Sequence, residues 1–402
     1  MVTCTIPCSN PPYELVSLRD KLRPSLASHL NPGAGFSFLA RNNAGQEKIF
    51  SSAFAILRQS IEARAFPACA VAVTHHGELI ADKVLGHFTH EPSSAAVSPD
   101  TLFDLASLTK VVATTAMAMI LYERGILDLE APVTTVVPEF VSSDARRDEV
   151  TLRMLLAHSS GLPAYEKLFL QANNREELLG AAFATNLVSD PRTRAEYSDI
   201  GFIILGVAME RLADEPLDSF CQREIFGPLG MSQTTFNPAK SLRDRIPPTA
   251  DDRTFRHRVI QGEVQDENAY VLGGVAGHAG LFSTAADIAR FAHAMLNRGH
   301  PILRSQTVEL FTRRESAPSG TSRALGWDTP SSPSQSGKHF SPHSFGHLGY
   351  TGTSLWIDPA RQLSVTFLTN RTWPDCQNHA IKQVRPAFYD AVVEAIDAKR
   401  QA

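Results

Sequence analysis

The chain has 402 residues, of which 43% are hydrophobic and 20% are charged, and its formal net charge is −4. This composition is typical of a folded globular protein and excludes a disordered or fibrous one, while the length favours two domains or one large domain. Acidic and basic residues are interspersed, so the sequence indicates neither a nucleic-acid-binding surface nor a basic membrane-binding patch. The five cysteines are scattered and lack a C-x-x-C pair or a zinc-binding spacing, and we interpret them as reduced.

Residues 1–48 are interrupted by proline, glycine and asparagine, and we interpret them as an N-terminal extension. The first residues lack the charged start and apolar run of a secretory signal. The most apolar window, Val111–Tyr122, is too short and too rich in threonine to span a bilayer. We therefore expect no membrane span and a cytoplasmic protein, or a periplasmic or secreted one if a leader has been removed.

The next part of the chain predicts a helix, a hairpin and a second helix. The first helix is expected near Ile49–Ala63, and "ACAVAVTHHGELIADKVLG" predicts two strands around a turn at residues 75–77. The stretch "FDLASLTKVVATTAMAMILYERG" then predicts a buried helix. Ser107 lies at its N-cap or in its first turn, and Gly125 fits the C′ position.

Helical patterns dominate residues 131–269, which we predict to form an all-α domain. Strand patterns return afterwards, because "TSLWIDP" and "QLSVTFLTN" flank a turn near residue 360, and a terminal helix is expected over 379–399. Residues 49–130 together with 270–402 are thus expected to form an α/β domain (α+β) that is split by the helical insertion. Residues 315–345, rich in serine, proline and glycine, predict a long loop of the kind that often serves a site.

Ser107 and Lys110 form an S-x-x-K pattern at a helix start, where residues three apart share a face. Free N–H groups and partial positive charge at this end suit an anion that forms nearby. A serine hydroxyl is a poor nucleophile without a proton acceptor, and a desolvated lysine is either that base or a cation that stabilises another base. The pattern alone also fits a capping serine beside a lysine that reaches solvent. Two later segments add polar groups: "EYSDIGF", with Tyr197, and "FGHLGYTGTSLWIDP", with His347.

Together, "SLTK", "YSD" and "HLG" resemble the three motifs of the penicilloyl-serine hydrolases, which include class C β-lactamases, DD-peptidases and family VIII esterases. In that group S-x-x-K, Tyr-x-Asn and Lys/His-Thr-Gly follow in the same chain order. "LLAHSSGLP", "FGPLGM" and "GLFSTAADIARF" are also similar, and the resemblance covers about residues 50–398. It implies a β-lactamase/transpeptidase-like fold, with helices flanking an antiparallel sheet, and a serine hydrolase that uses no cofactor and no metal.

The resemblance implies a role for each matched residue. Ser107 would be the acylated nucleophile, Lys110 would keep the pocket positive, and Tyr197 would shuttle the proton, with its pKa lowered by the nearby cation. Whether Lys110 or Tyr197 takes the serine proton stays open. The backbone N–H groups of Ser107 and Tyr350 would form an oxyanion hole, and Gly349 would let the strand lie close to the nucleophile.

Three positions depart from the motifs of the group. Asp199 replaces the usual asparagine, and a carboxylate only accepts hydrogen bonds, so it should hold Lys110 charged more firmly and bind a substrate amide less well. His347 stands in place of lysine, as in some DD-peptidases of the group, and Leu348 replaces threonine. The missing threonine hydroxyl removes a usual contact to a substrate carboxylate. These changes argue against an efficient β-lactamase.

Other histidines have simpler interpretations. The pair at 75–76 is expected in a solvated turn, and the four-residue spacing of His339, His343 and His347 falls in a segment that cannot be helical throughout, which disfavours a metal site. His278 lies in a glycine-rich turn that the fold would place near the pocket. We interpret His158 as a structural hydrogen-bonding residue.

The sequence therefore predicts a serine hydrolase that forms an acyl-enzyme on Ser107 and cleaves an amide, ester or β-lactam bond of a small-molecule or peptide substrate. It contains no G-x-S-x-G, no H-E-x-x-H and no phosphate-binding loop. "QDENAYVLGGVAGHAGLFSTA" is similar to a subgroup that includes enzymes acting on muropeptides. The alternative is a penicillin sensor or scaffold protein of the same fold without turnover.

Overall fold

A computed structural model describes residues 43–401 of the chain. Its α-helices are α1 (Asn43–Ile49), α2 (Ser51–Glu62), α3 (Ala116–Glu123), α4 (Val133–Val136), α5 (Leu152–Leu156), α6 (Arg175–Ala184), α7 (Asp199–Ala213), α8 (Leu217–Cys221), α9 (Glu267–Val271), α10 (Ala285–Leu296), α11 (Ser305–Thr312) and α12 (Ile381–Gln401). Its strands are β1 (Ala68–His75), β2 (Glu78–Gly86), β3 (Phe103–Asp104), β4 (Thr235–Phe236), β5 (Ala250–Asp252), β6 (Arg258–Ile260), β7 (Leu281–Ser283), β8 (Phe345–Leu348), β9 (Ser354–Asp358) and β10 (Leu363–Thr369).

Shorter helical turns connect these elements. Lys110–Thr115 and Gln222–Phe226 are π-helical, and four 3₁₀ turns occupy Pro138–Phe140, Ala145–Glu149, Leu168–Leu170 and Lys240–Arg245. Within residues 43–401 we find no helix with the length and apolar character needed to cross a bilayer.

The main sheet has five strands in the order β2-β1-β10-β9-β8, and all neighbours are antiparallel. Its strands come from two distant parts of the chain, because the early hairpin β1–β2 pairs with the late strands through β1 and β10. Cys69 lies opposite Thr369, and His75 lies opposite Leu363. The prediction of an antiparallel sheet flanked by helices is confirmed.

Strand β1 is apolar along its length because both of its faces are buried. Ala70 and Ala72 point into a core shared with α3 and α10, whereas Val71 and Val73 point into a second core shared with α2 and α12. Successive side chains of a strand leave opposite faces, so one strand serves both cores. The terminal helix α12 thereby covers the sheet face opposite α10.

The expectation that residues 131–269 are exclusively helical is wrong, because β4, β5 and β6 lie in this segment. Each has only two or three residues, too few for a visible alternating pattern, and β4 pairs with β7 from a distant part of the chain. The division of the chain into an α/β and a helical domain stays a prediction.

The helix predicted within residues 103–125 is present, but its beginning differs from a regular α-helix. Ser107 lies in a turn, the helix begins at Leu108, and a π-helical turn precedes α3. Gly125 has a φ of +65°, which confirms the predicted C′ position.

Candidate active site

The backbone just before Ser107 is strained, and a buried carboxylate holds it in place. The preceding residue, Ala106, has a φ of +46°, a conformation that costs a non-glycine residue energy. Asp104 holds it there, since its carboxylate accepts from the Ala106 N–H at 2.8 Å and from the Gln265 N–H at 2.7 Å. Burial raises the pKa of Asp104 to about 6 against the opposing effect of these two bonds. The turn that carries Ser107 is thus fixed by a residue on β3.

Lys110 is fully buried, and its ammonium has three acceptors. Nζ donates to Ser107 Oγ at 2.9 Å, to Asp199 Oδ1 at 2.6 Å and to the His278 carbonyl at 3.0 Å. Burial lowers the pKa of Lys110, and the charge and hydrogen bond of Asp199 raise it. Three acceptors match the three N–H groups of a protonated lysine, so the contacts favour a charged Lys110 in the resting site.

The start of α7 brings Tyr197 to the same hydroxyl. Tyr197 OH donates to Ser107 Oγ at 2.7 Å, and Asp199, two residues later, begins the helix. Ser198 lies between them as the N-cap, and its Oγ accepts from the Gly201 N–H. The Ser198 N–H donates to His158 Nδ1 at 3.0 Å, and the His158 ring lies 4.8 Å from the Tyr197 ring. His158 is therefore hydrogen-bonded as expected and also packs against the tyrosine.

The pKa of Tyr197 is shifted in the direction opposite to the expectation from sequence. Burial and the negative charge of Asp199 raise it well above the ordinary value of 10.0, outweighing the hydrogen bond to Ser107 and the charge of Arg323. The prediction that a nearby cation lowers this pKa is wrong, because burial and the negative charge of Asp199 outweigh the neighbouring cations. The phenol is protonated at neutral pH.

The turn between β8 and β9 is tied to the residues just before Ser107. Thr351 Oγ1 donates to the Asp104 carbonyl, and Thr353 Oγ1 donates to the Leu105 carbonyl, each at 2.8 Å. A Cβ at Gly349 would lie 2.6 Å from the Leu105 oxygen, so this close approach requires glycine. The turn and the Ser107 segment therefore keep a fixed separation.

Two backbone N–H groups, where the β8–β9 turn meets the Ser107 segment, have no acceptor within residues 43–401. Neither the Ser107 N–H nor the Tyr350 N–H forms a hydrogen bond with any residue in the described part of the chain. The Tyr350 side chain is half-exposed. An oxyanion is stabilised by hydrogen-bond donors held in fixed positions. These two N–H groups meet that requirement, because hydrogen bonds hold the two segments together.

His347 is buried on β8, and its ring lies 6.0 Å from that of Tyr197. Its Nδ1 is 2.8 Å from the Leu348 carbonyl, which only accepts, so Nδ1 carries the proton. Burial and the charges of Lys110 and Arg323 lower the pKa of His347 well below its ordinary value. The imidazole is therefore neutral, unlike the lysine that it replaces in the motif.

The remaining histidines of the described residues do not come together to form a site. His339 pairs with Glu394 at the surface, His343 is exposed, and His75 and His76 lie at the β1–β2 turn. Over residues 43–401, no cluster of three or more metal-ligating side chains is present. His278 uses its carbonyl for Lys110 and its Nε2 for Asp266, at 2.8 Å.

Sequence reasoning missed several residues that support the site. Thr351 and Thr353 in "GYTGTS" directly follow the third motif, and their hydroxyl groups at this position indicate residues that anchor the turn. Asp104, Arg323 and Arg385 carried no local signal. Arg323 comes from the long loop, forms an ion pair with Asp328 and places its guanidinium 5.5 Å from the centre of the Tyr197 ring.

Comparisons with known proteins agree with this arrangement. The model of the family described as Beta-lactamase matches residues 54–385. An N-acetylmuramyl-L-alanine amidase of Bacillus subtilis (strain 168) is 33% identical over 348 residues, covering 77% of this chain and 78% of the relative. An Escherichia coli (strain K12) protein, provisionally named a D-alanyl-D-alanine carboxypeptidase, is 33% identical over 302 residues, or 67% of this chain and 69% of the relative.

Solved structures show the same fold. EstCE1, described as a hydrolase with promiscuous acyltransferase activity, superposes with a TM-score of 0.70 at 20% identity, covering 86% of this chain and all of that one. The family match spans most of the chain and encloses all three motifs. The chain therefore belongs to the β-lactamase family, and it is a serine hydrolase.

Proposed function

We propose that the protein hydrolyses an amide or ester bond through an acyl-enzyme on Ser107. One observation carries the proposal: Ser107 Oγ lies within hydrogen-bonding distance of both Lys110 Nζ and Tyr197 OH, at 2.9 and 2.7 Å. The site thus joins a nucleophile to a cation and to a group that exchanges protons. The two unbonded N–H groups of Ser107 and Tyr350 complete it.

The reaction follows from these contacts. Tyr197 in its phenolate form accepts the Ser107 proton as Oγ bonds to the substrate carbonyl carbon, and the resulting oxyanion accepts from the two N–H groups. The bond to the leaving nitrogen or oxygen then breaks, and Tyr197 returns the proton to it. Water attacks the acyl-serine ester and loses a proton to Tyr197, which passes it to Ser107 Oγ as the carboxylic acid leaves. Lys110 stabilises the phenolate form of Tyr197 before each proton is taken up and after it is returned.

The substrate that the site fits best is an amide or ester without a free carboxylate beside the scissile bond. A neutral His347 and an apolar Leu348 occupy the positions where the motif would otherwise supply a cation and a hydroxyl. This favours the activity named for the Bacillus subtilis relative, an N-acetylmuramyl-L-alanine amidase, over that of a D-alanyl-D-alanine carboxypeptidase.

Hydrolysis by wild type and Ser107→Ala tests the proposal, with a panel of p-nitrophenyl esters, an N-acetylmuramyl peptide, a peptide ending in D-Ala-D-Ala and a cephalosporin. We expect wild type to cleave the esters and the muropeptide faster than the other two, and the variant to cleave none while keeping the wild-type Tm. Equal rates in both proteins would refute the role of Ser107. Stable labelling by a fluorescent penicillin without hydrolysis of any substrate would support a sensor instead.

A further inference from the structure

Arg385 on α12 is a buried cation that has no carboxylate partner within residues 43–401. Only 5% of its surface is exposed, and the groups that shift its pKa within the described chain are Tyr389 and Arg371. Burial lowers that pKa to about 10, so the guanidinium is still charged at neutral pH. A charge buried in this way is costly unless hydrogen bonds compensate for the lost water.

Within residues 43–401, Arg385 donates its hydrogen bonds to the β8–β9 turn, and its Nε has no partner. Arg385 Nη2 donates to the Gly349 carbonyl and to the Thr353 carbonyl, each at 2.9 Å. The Thr353 carbonyl also accepts from the Gly349 N–H at 2.7 Å. One guanidinium nitrogen thus closes the turn that contains Tyr350.

The Gly349 carbonyl and the Tyr350 N–H belong to one peptide unit. The unit is planar, and in its trans form the two groups point in opposite directions. A charge-assisted bond to the carbonyl therefore fixes the direction of the N–H and polarises it as a donor. Arg371 holds the next peptide, because its Nε donates to the Tyr350 carbonyl at 2.7 Å.

We propose that Arg385 is a positioning residue for the oxyanion hole: through the Gly349 carbonyl it orients the Tyr350 N–H and strengthens it as a hydrogen-bond donor. Arg385 does not contact the substrate and acts only through this peptide. The inference rests on the proposed function, in which the Tyr350 N–H binds the oxyanion.

The opposite side of the turn is anchored independently. Thr351 and Thr353 bind the Asp104 and Leu105 carbonyls, so the turn is held against the Ser107 segment even without Arg385. The Gly349 carbonyl also accepts from the Gly352 N–H at 3.0 Å. Loss of Arg385 should thus leave the turn near Ser107 but remove the charge-assisted bond to this carbonyl, so that only the weaker backbone bond orients the Gly349–Tyr350 peptide. Substrate binding should change little, and stabilisation of the transition state should fall.

The test compares Arg385→Met and Arg385→Lys with a control, Arg147→Met. Arg147 is also buried, and it donates to the carbonyls of Phe140, Phe183 and Thr185, none of which lies in the site. The readouts are kcat and KM for a p-nitrophenyl ester, inhibition by a phenylboronic acid that forms a tetrahedral adduct with the serine, and Tm.

We expect Arg385→Met to lower kcat by about 10- to 100-fold, somewhat less than removal of an oxyanion donor, with KM changed less than about threefold. Boronic acid affinity should fall in parallel, and Arg385→Lys should recover part of kcat. Arg147→Met should lower Tm but leave kcat within about twofold of wild type. If Arg385→Met does not fold, Arg385→Lys decides, and it should lower kcat without raising KM.

An Arg385 variant with wild-type kcat and boronic acid affinity would overturn the inference, even if its Tm falls, because the residue would then act on stability alone. Equal losses of kcat in the Arg385 and Arg147 variants would overturn it as well. Wild-type protein that neither turns over the ester nor binds the boronic acid would instead refute the proposed function.

Discussion

Burial and Asp199 together determine the protonation of the groups around Ser107. Burial lowers the pKa of Lys110 and raises that of Tyr197, and the Asp199 carboxylate, 2.6 Å from Lys110 Nζ, raises the pKa of both. Both groups therefore keep their protons at neutral pH more firmly than an asparagine at this position would allow. Since the proposed reaction needs the phenolate of Tyr197, its rate should increase as the pH rises.

Replacement of this carboxylate gives the first prediction. In Asp199→Asn the negative charge is lost, the pKa of Tyr197 falls, and a larger fraction of phenolate forms at a given pH. The rising limb of kcat/KM should therefore move to lower pH, which a profile between about pH 6 and 10 with an uncharged ester measures.

Glu196→Gln is the matched control. It removes a carboxylate from the same segment, and that carboxylate forms an ion pair with Arg194. This control should leave the profile in place. A rising limb that stays fixed, or moves to higher pH, in Asp199→Asn would show that Asp199 does not govern the group that loses the proton.

The residues proposed to react were predictable because they occupy short motifs, whereas the residues that support them were not. Ser107 and Lys110 are three residues apart at a helix start, a spacing visible in the sequence. Asp104 and Arg385 act through backbone groups of residues far along the chain, at Gln265 and Gly349. Such contacts depend on the tertiary fold, and no local sequence pattern predicts them.

Among the elements, α7 and the glycine-rich turn before β7 (residues 273–280) pack so closely that a side chain does not fit between their backbones. A Cβ at Gly277 would lie 2.2 Å from the Phe202 carbonyl oxygen, and a Cβ at Gly206 would lie 2.9 Å from the Gly277 Cα. Thr114 on the π-helical turn donates to the Gly277 carbonyl at 2.7 Å. This packing brings the carbonyl of the next residue, His278, to Lys110.

Gly277→Ala should therefore disturb both stability and the site. The added methyl group forces α7 and the turn apart, and such overpacking costs about 1–3 kcal/mol. We expect a lower free energy of unfolding in urea and a lower kcat, because the His278 carbonyl moves away from Lys110.

The control is Gly180→Ala in α6, where a Cβ meets no atom within 4 Å. Alanine there should raise stability by about 0.5–1 kcal/mol and leave kcat unchanged. A Gly277→Ala protein as stable and active as wild type would contradict the close packing.

The helices and long strands were predictable from periodicity, and the short elements were not. Strand patterns on either side of a turn predicted β1, β2, β9 and β10, and Gly125 predicted the end of α3. The π-helical turn at Lys110–Thr115 has the same residue pattern as an ordinary helix, so the sequence does not distinguish it. The π-helical turn packs against α7 and is hydrogen-bonded through Thr114 to the Gly277 carbonyl.

For the whole molecule, the sheet unites the two ends of the described chain. Hairpin β1–β2 lies beside β10, and α12 covers the face on which Val71 and Phe367 lie. Since α12 carries both core residues and Arg385, the stability of the sheet and the geometry of the proposed oxyanion hole depend on the same helix. The predicted antiparallel sheet anticipated this union, but the second core under α12 became visible only in the structure.

Phe388 tests how much this second core contributes. Its side chain is fully buried, with its ring 5.2 Å from that of Phe367. Phe388→Ala should lower the free energy of unfolding by about 3–5 kcal/mol, measured by denaturation in urea. Leu170→Ala, at a side chain that is 65% exposed, should change it by less than about 0.5 kcal/mol. Similar values for the two variants would mean that α12 contributes little to stability.

The most direct test of the account is the chemical identity of the acylated residue. Wild-type protein is mixed briefly with an activated ester or a penicillin and quenched in acid, and its intact mass and peptides are then measured by mass spectrometry. We expect the mass of the protein to increase by one acyl group, located on Ser107 and absent from Ser107→Ala. An adduct on another residue, or continued hydrolysis with no covalent adduct at any quench time, would contradict it.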